Sequence, residues 1–129
     1  MVLVCRCWVI DLWKFDKKAL SLYLKSNVAR ETLVKQRKKD GNIFYYNIAT
    51  SFDIETTSYT YKNEKCAFMY IWQFAINDFI FYGRSWDEFL QAIDIISDVL
   101  DTNVNKRFVV YVHNLSFEFQ FMRKYLDWE

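Results

Sequence analysis

Residues 51–57 of the chain, SFDIETT, decide the fold and raise the first question about function. Asp53 and Glu55 stand one residue apart, and each is next to an apolar residue. On a β-strand, side chains two positions apart point to the same face. We therefore expect Phe52 and Ile54 to face a core, while the two carboxylates project together from the opposite face.

A second segment, residues 111–118 (YVHNLSFE), places a third acid, Glu118, after another apolar stretch. Neighbouring carboxylates repel one another, so a fold that orders them normally does so around a cation, and oxygen ligands suit Mg²⁺ or Mn²⁺. Together the two segments predict a metal-dependent phosphodiester site. The alternatives are that Asp53 and Glu55 form a solvated strand face and that Glu118 is only a favourable acid in a helix first turn.

The pattern of apolar residues around these motifs predicts an α/β domain. Helices are expected over residues 12–30, 86–100 and 117–128, and the second of them should be capped by Ser85 with Glu88 in the capping-box position. Strands are expected over residues 50–56, 66–76, 79–82 and 107–112, with a hairpin over 32–48 and a polar loop over 57–65. The strand at 107–112 should pair in parallel with the acidic strand after a helical crossover.

The composition fits one folded domain without a membrane span. The chain has 129 residues, of which 53% are hydrophobic and none is proline. Its apolar start, residues 1–10, is too short to cross a bilayer and lacks the pattern of a signal peptide. The three cysteines offer neither a disulfide framework nor a zinc site, which favours a reducing cytoplasm.

The basic residues and the aromatic residues of the chain each have two possible roles. The net charge is +1, so a nucleic-acid binder of this composition would need a local basic patch. Residues 35–39 (KQRKK) are either a phosphate-contacting edge or an edge strand protected by lysines. Aromatic residues make up 20% of the chain, and they either fill the core or provide stacking surfaces for bases or a face for a partner.

The order of a DxE strand, two antiparallel strands, a helix, a strand, an HN loop and a helix resembles the 3′–5′ exonuclease domain of family B DNA polymerases. The protein-primed polymerases of bacteriophages and linear plasmids look most similar. Residues 52–57 (FDIETT) look like the first exonuclease motif of that family, and residues 111–118 look like its second. The resemblance covers roughly residues 43–128.

The resemblance implies a ribonuclease-H-like α/β fold, with a mixed sheet of three antiparallel strands and one parallel strand between flanking helices. Residues 1–42 would form an N-terminal extension, made of an apolar strand or tail, a helix and a basic hairpin arm. Residues 43–129 would be a partial exonuclease domain, incomplete at its C-terminal end.

The resemblance also implies roles for individual side chains. The catalytic residues and ligands of Mg²⁺ or Mn²⁺ would be Asp53, Glu55 and Glu118. The residues at or near the 3′ end of single-stranded DNA would be Thr56, His113, Asn114 and Phe117. Glu118 stands where the family more commonly has aspartate, which lengthens the carboxylate arm in a site where Mg²⁺ geometry is demanding. From the residues alone, each has an alternative role. His113 would be structural, Asn114 would end a strand, and Phe117 would pack in the core.

The third exonuclease motif of the family lies well beyond the second, and nothing follows Glu129. The expected function is therefore part of a proofreading exonuclease domain that binds single-stranded DNA and a divalent metal, with hydrolysis weak or lost in this truncated form. The alternative is a catalytically inactive, phage-derived binding protein that inhibits a host nuclease or defence complex. An exposed aromatic face would then meet a protein partner or a second copy. Either protein would act in the cytoplasm of a bacterial host.

Overall fold

The central sheet is built around the strand that carries Asp53 and Glu55. The computed structural model describes residues 2–5, 8–30, 33–38 and 41–123. Its strands are β1 (Val2–Cys5), β2 (Trp8–Asp11), β3 (Trp13–Lys14), β4 (Leu33–Lys38), β5 (Gly41–Tyr46), β6 (Thr50–Tyr61), β7 (Glu64–Ile76), β8 (Phe79–Gly83), β9 (Lys106–Arg107) and β10 (Tyr111–Val112). Its α-helices are α1 (Lys17–Tyr23), α2 (Trp86–Leu100) and α3 (Leu115–Met122).

The five-stranded sheet has the order β10-β6-β7-β8-β3. Strands β6, β7 and β8 form the expected antiparallel meander. Strand β10 pairs in parallel with β6, with Tyr111 opposite Ser51 and Val112 opposite Phe52. The predicted mixed α/β architecture and the parallel pairing of the two motif segments are therefore confirmed. Among the described residues, no helix is long and apolar enough to cross a membrane.

One face of this sheet forms the hydrophobic core. Phe52 and Ile54 are buried on that face, while Asp53 and Glu55 are exposed, as the alternation of β6 predicts. The core continues through aromatic side chains of the neighbouring strands and of α2, chiefly Trp72, Phe74, Phe81 and Phe89. Burial of such large side chains is the main force that fixes the sheet against the helices.

Helix α2 has the bounds that its sequence predicts. The hydroxyl of Ser85 accepts a hydrogen bond from the Glu88 backbone N–H (3.2 Å), and the Glu88 carboxylate accepts one from the Arg84 backbone N–H (3.0 Å). This is a capping box in which the Glu88 carboxylate binds the backbone N–H of Arg84, one residue before the N-cap, and not that of Ser85. The carbonyl of Ser85 also accepts a bond from the indole Nε1 of Trp72 (2.8 Å), which ties the start of the helix to the sheet.

The polar segment 57–65 is not a loop, and that prediction was wrong. Strands β6 and β7 continue past the sheet as a two-stranded ribbon that closes at Lys62 and Asn63, both with positive φ. Two such residues are typical of a tight hairpin turn that matches strand twist. The ribbon carries exposed aromatic rings, among them the contacting pair Tyr59 and Phe68. Because nearly all its side chains are exposed, it lacks the apolar alternation by which a strand is recognised.

Three other predicted boundaries were also wrong. The helix expected over 12–30 is divided into strand β3, helix α1 capped by Asp16, and a π-helical turn at Leu24–Val28. The strand expected over 107–112 is divided between two sheets, because β9 pairs with β5 and only β10 pairs with β6. Helix α3 begins at Leu115, two residues before the prediction; the predicted continuation over 124–128 lies outside the described residues.

The remaining strands form two small sheets. The hairpin expected over 32–48 is present as the antiparallel pair β4–β5, and β9 adds to β5 in parallel to give the order β4-β5-β9. Strands β1 and β2 form an antiparallel hairpin of their own. The expectation that residues 1–10 are ordered by packing concerns side chains that the structure does not describe.

Candidate metal and nucleic-acid site

The candidate site lies where the parallel pairing of β6 with β10 ends, at the carboxyl end of β10 and within β6. Asp53 follows the last paired position of β6, and His113 follows β10 directly. The carboxyl ends of parallel strands meet at one edge of a sheet, which is where open α/β sheets commonly bind ligands. The topology therefore brings the two sequence motifs together at this edge.

Asn114 fixes the start of helix α3, the element that carries the third acid. Its side-chain oxygen accepts hydrogen bonds from the Phe117 backbone N–H (3.4 Å) and from the Ser116 hydroxyl (3.0 Å). Its backbone carbonyl accepts from the backbone N–H groups of Phe117 (3.1 Å) and Glu118 (3.2 Å). Asn114 is thus the N-cap of α3. The cap uses the side-chain oxygen of Asn114, whereas the amide nitrogen of Asn114 takes no part in it.

Glu118 is the unusual side chain of the site. It is only 3% exposed, and its Oε2 atom is buried with no hydrogen-bond partner among the described residues. Burial raises the pKa of the Glu118 carboxyl, and the charge of the neighbouring Asp53 raises it further. The backbone N–H at Glu118 and the nearby His113 oppose that increase. Such a carboxyl pair needs a shared proton or a cation, because two ionised carboxylates have no hydrogen to place between them.

Glu55 does not complete a three-carboxylate cluster in this structure. It lies on the same face of β6 as Asp53, but its side chain is exposed, and the pairing register shifts between Glu55 and Thr56. Across the part of the chain that the structure describes, no group of three or more His, Cys, Asp or Glu side chains lies close enough to hold a metal ion. The structure therefore brings together Asp53 and Glu118 and leaves Glu55 apart.

The other predicted contact residues lie around this pair. Thr56 follows the register shift and is half-buried, and His113 is exposed. Phe117 is 38% exposed, and its ring lies 5.3 Å from that of Phe121 between centroids. The alternative that Phe117 is a core residue does not fit this exposure. The exposure of Phe117 fits the other interpretation, in which its ring is a stacking surface next to Glu118.

A small cavity borders Asp53, and a larger one lies against α3. One of about 130 Å³ lies beside Asp53 and is lined by Ser51, Gln73, Phe74, Ala75 and Ile80. The other, of about 600 Å³, lies between β7 and α3 and is lined by Ala67, Phe68, Met69, Trp86, Gln120, Phe121 and Arg123. Its aromatic and polar lining suits a planar, polar ligand such as a nucleobase.

Sequence reasoning missed Thr50, which holds the site together. Thr50 is buried at the start of β6, and its hydroxyl donates a hydrogen bond to the carbonyl of Val109, just before β10. This bond joins the two strands where the backbone ladder between them is short. The available signal was a polar residue, Thr50, two positions before Phe52, on the strand face that Phe52 and Ile54 predict to be buried.

Comparison of the chain with protein-family models, with curated proteins and with solved structures gives no match.

Proposed function

We propose that this chain is part of a metal-dependent 3′–5′ exonuclease of the ribonuclease-H-like type found in family B DNA polymerases, acting on single-stranded DNA. The observation that carries the proposal is the buried Glu118 carboxyl beside Asp53, where the parallel pairing of β6 and β10 ends. A buried acid beside a second acid that repels it destabilises a fold, and such acids are a recurrent feature of catalytic sites.

The donor set at this pair fits a divalent cation. Glu118 Oε2 is a buried acceptor without a partner among the described residues, and the neighbouring Asp53 supplies a second carboxylate. Hard oxygen donors of this kind suit Mg²⁺ or Mn²⁺. Asp53 and Glu118 would hold the cation, and a change of side-chain rotamer would let Glu55 join them from the same strand face. When bound, the cation would activate water and stabilise the leaving oxygen of the phosphodiester.

The neighbouring residues would bind and orient the DNA strand. The half-exposed ring of Phe117 offers a stacking face beside the acid pair, and Phe121 and Phe68 extend aromatic surface into the 600 Å³ cavity. Base stacking on aromatic rings tolerates any sequence, as a proofreading enzyme requires. His113 at the end of β10 would contact the backbone next to the scissile phosphate, and the Asn114 amide nitrogen and Thr56 hydroxyl would donate hydrogen bonds to it.

The test is degradation of a 5′-labelled single-stranded oligonucleotide by the purified chain in Mn²⁺ or Mg²⁺. We expect slow shortening from the 3′ end that is abolished by Asp53→Ala and by Glu118→Gln. Asp94→Asn, which changes an exposed acid in the middle of α2, is the matched control and should leave the rate unchanged. Degradation that survives Asp53→Ala, or that requires no divalent metal, would rule the proposal out.

A binding role without hydrolysis is the second candidate, and two observations favour it. Glu55 does not join the acid pair, and the ribbon of β6 and β7 exposes several large aromatic side chains: Tyr59, Tyr61, Phe68 and Tyr70. Exposed aromatic surface of this kind is typical of protein or nucleic-acid interfaces. Calorimetric titration with Mn²⁺ distinguishes the candidates, because the enzyme requires metal binding that Asp53→Asn removes, whereas a pure binding module does not.

A further inference from the structure

The three-stranded sheet β4-β5-β9, here called the basic sheet, carries an excess of positively charged residues. Its strands hold five of the 17 Lys and Arg residues and none of the 16 Asp and Glu residues. Of the five, those whose side chains the structure describes are Lys35, Lys106 and Arg107. The rest of the chain is net negative, so the overall charge of +1 conceals a strong separation of charge. A local cationic surface of this kind attracts a polyanion.

An aromatic ring lies between two of these cations. Lys35 of β4 is paired with Phe44 of β5, and Phe44 is paired with Lys106 of β9. Directly paired residues project from the same face of a sheet, and adjacent strands lie about 4.8 Å apart. The Cα atoms of the two lysines are therefore about 10 Å apart, with the ring between them. Phe44 is 37% exposed, which is unusual for a phenylalanine that could have packed inward.

The backbone around this row is held firmly. The Phe44 N–H donates to the carbonyl of Asn105 (2.7 Å), which locks β9 onto β5. The side-chain oxygen of Asn103 accepts from the N–H groups of Asn105 (2.8 Å) and Lys106 (3.0 Å). The Lys106 ammonium lies 5.6 Å from the centre of the Tyr46 ring, a buried side chain. The platform is therefore preorganised, which lowers the entropic cost of binding.

We propose that the basic sheet binds single-stranded nucleic acid, with a base stacked on Phe44 and phosphates paired with Lys35 and Lys106. An exposed ring flanked by cations can stack only on a base that is not already stacked and paired, so the geometry favours a single strand over a duplex. The proposal rests on the charge and register of this sheet. It requires neither metal nor hydrolysis at Asp53.

The test is fluorescence anisotropy of a labelled oligo(dT) with the full chain in EDTA, titrated from 50 to 200 mM salt. Phe44→Ala should weaken binding roughly tenfold, as expected for the loss of one stacked base. Lys35→Ala should weaken it several-fold and reduce the slope of log K against log salt by about 0.7. Lys25→Ala, an equal change of charge at an exposed site on the π-helical turn, is the matched control and should change affinity less than twofold.

Phe44→Ala and Lys35→Ala must keep the wild-type melting temperature for these comparisons, and both positions are exposed enough to do so. Binding that Phe44→Ala leaves unchanged, a duplex that binds as tightly as the single strand, or equal effects of Lys25→Ala and Lys35→Ala would overturn the proposal. If the wild-type chain binds oligo(dT) in EDTA and Phe44→Ala weakens that binding, while no nuclease activity is found in any metal, the exonuclease proposal fails and this one stands.

Discussion

Replacing Glu118 by glutamine is expected to stabilise the metal-free protein, although it removes a proposed catalytic group. The Glu118 carboxyl is buried, its Oε2 atom has no partner among the described residues, and Asp53 is its neighbour. Glutamine has nearly the same shape, carries no charge, and can donate a hydrogen bond from Nε2 to the Asp53 carboxylate. The substitution thus turns a repulsive contact into a hydrogen bond.

The size of the gain follows from the cost of an unsatisfied buried acceptor. Leaving such a group without a donor costs about 1–3 kcal/mol, and a new hydrogen bond recovers part of it. We expect the free energy of unfolding to rise by about 1–2 kcal/mol, which corresponds to roughly 3–8 °C in Tm for a domain of this size.

The pH dependence of the gain has a definite sign. Burial raises the pKa of Glu118 in the folded protein above its ordinary value of 4.5, so the folded state binds this proton more tightly than the unfolded chain. The wild type is therefore favoured below about pH 4.5 and loses that stability as the pH rises through the folded pKa. Glutamine does not titrate. The difference between variant and wild type should be largest at neutral pH and should close on acidification.

Urea denaturation in EDTA, followed by tryptophan fluorescence at several pH values, measures this difference. The exposed control Asp94→Asn should shift the free energy of unfolding by less than about 0.5 kcal/mol at any pH. Added Mn²⁺ at about 100 times its Kd should then stabilise the wild type by about 2.7 kcal/mol and the glutamine variant by much less. A variant that is no more stable than the wild type at neutral pH, or a gap that does not change with pH, would refute the reasoning.

Three further predictions concern the scaffold, each measured by urea denaturation. Gly83→Ala should cost about 1–3 kcal/mol, because an added Cβ would lie 2.3 Å from the buried Trp72 ring; a neutral effect would mean that this ring can move. Ser85→Ala should cost about 1 kcal/mol through the loss of the N-cap of α2, and Ser85→Asp should restore most of it. Tyr46→Phe should cost about 1 kcal/mol, because the Leu100 carbonyl loses its 3.0 Å hydrogen bond from the hydroxyl; an unchanged midpoint would contradict that role.

The elements that the sequence predicted well are those fixed by local signals. Helix α2 begins after the Ser85 cap, and its apolar stripe needs no distant partner to be recognised. The acidic strand was recognisable because Phe52 and Ile54 alternate with Asp53 and Glu55. The parallel pairing of β6 and β10 followed from the helix between them, since a crossover of that length returns a strand to the same sheet.

The elements that were mispredicted carry no local sequence pattern that identifies them. The exposed ribbon of β6 and β7 has no buried face to impose an alternating pattern, so its polar residues looked like a loop. Residues 107–112 contribute to two different sheets, and no local sequence pattern indicates that division. At the candidate site, the sequence could place Asp53 and Glu55 on one face. It could not place the register shift beyond Glu55, or show that Glu118 alone would be buried against Asp53.

Because β10 pairs with β6 over only two residues, Asp53 and Glu118 lie in parts of the fold that differ in local stability. Asp53 sits on a 12-residue strand between two neighbours, whereas Glu118 is carried by a helix whose preceding strand has only two residues. Amide protons of β6 should therefore exchange with solvent only when the whole domain unfolds, and those of α3 through a smaller opening of lower free energy. Anything that bridges Asp53 and Glu118 would have to close that opening. Its binding energy would then be visible as slower amide exchange in α3 and also in β6, because a ligand of the folded state raises the free energy of both the local and the global opening.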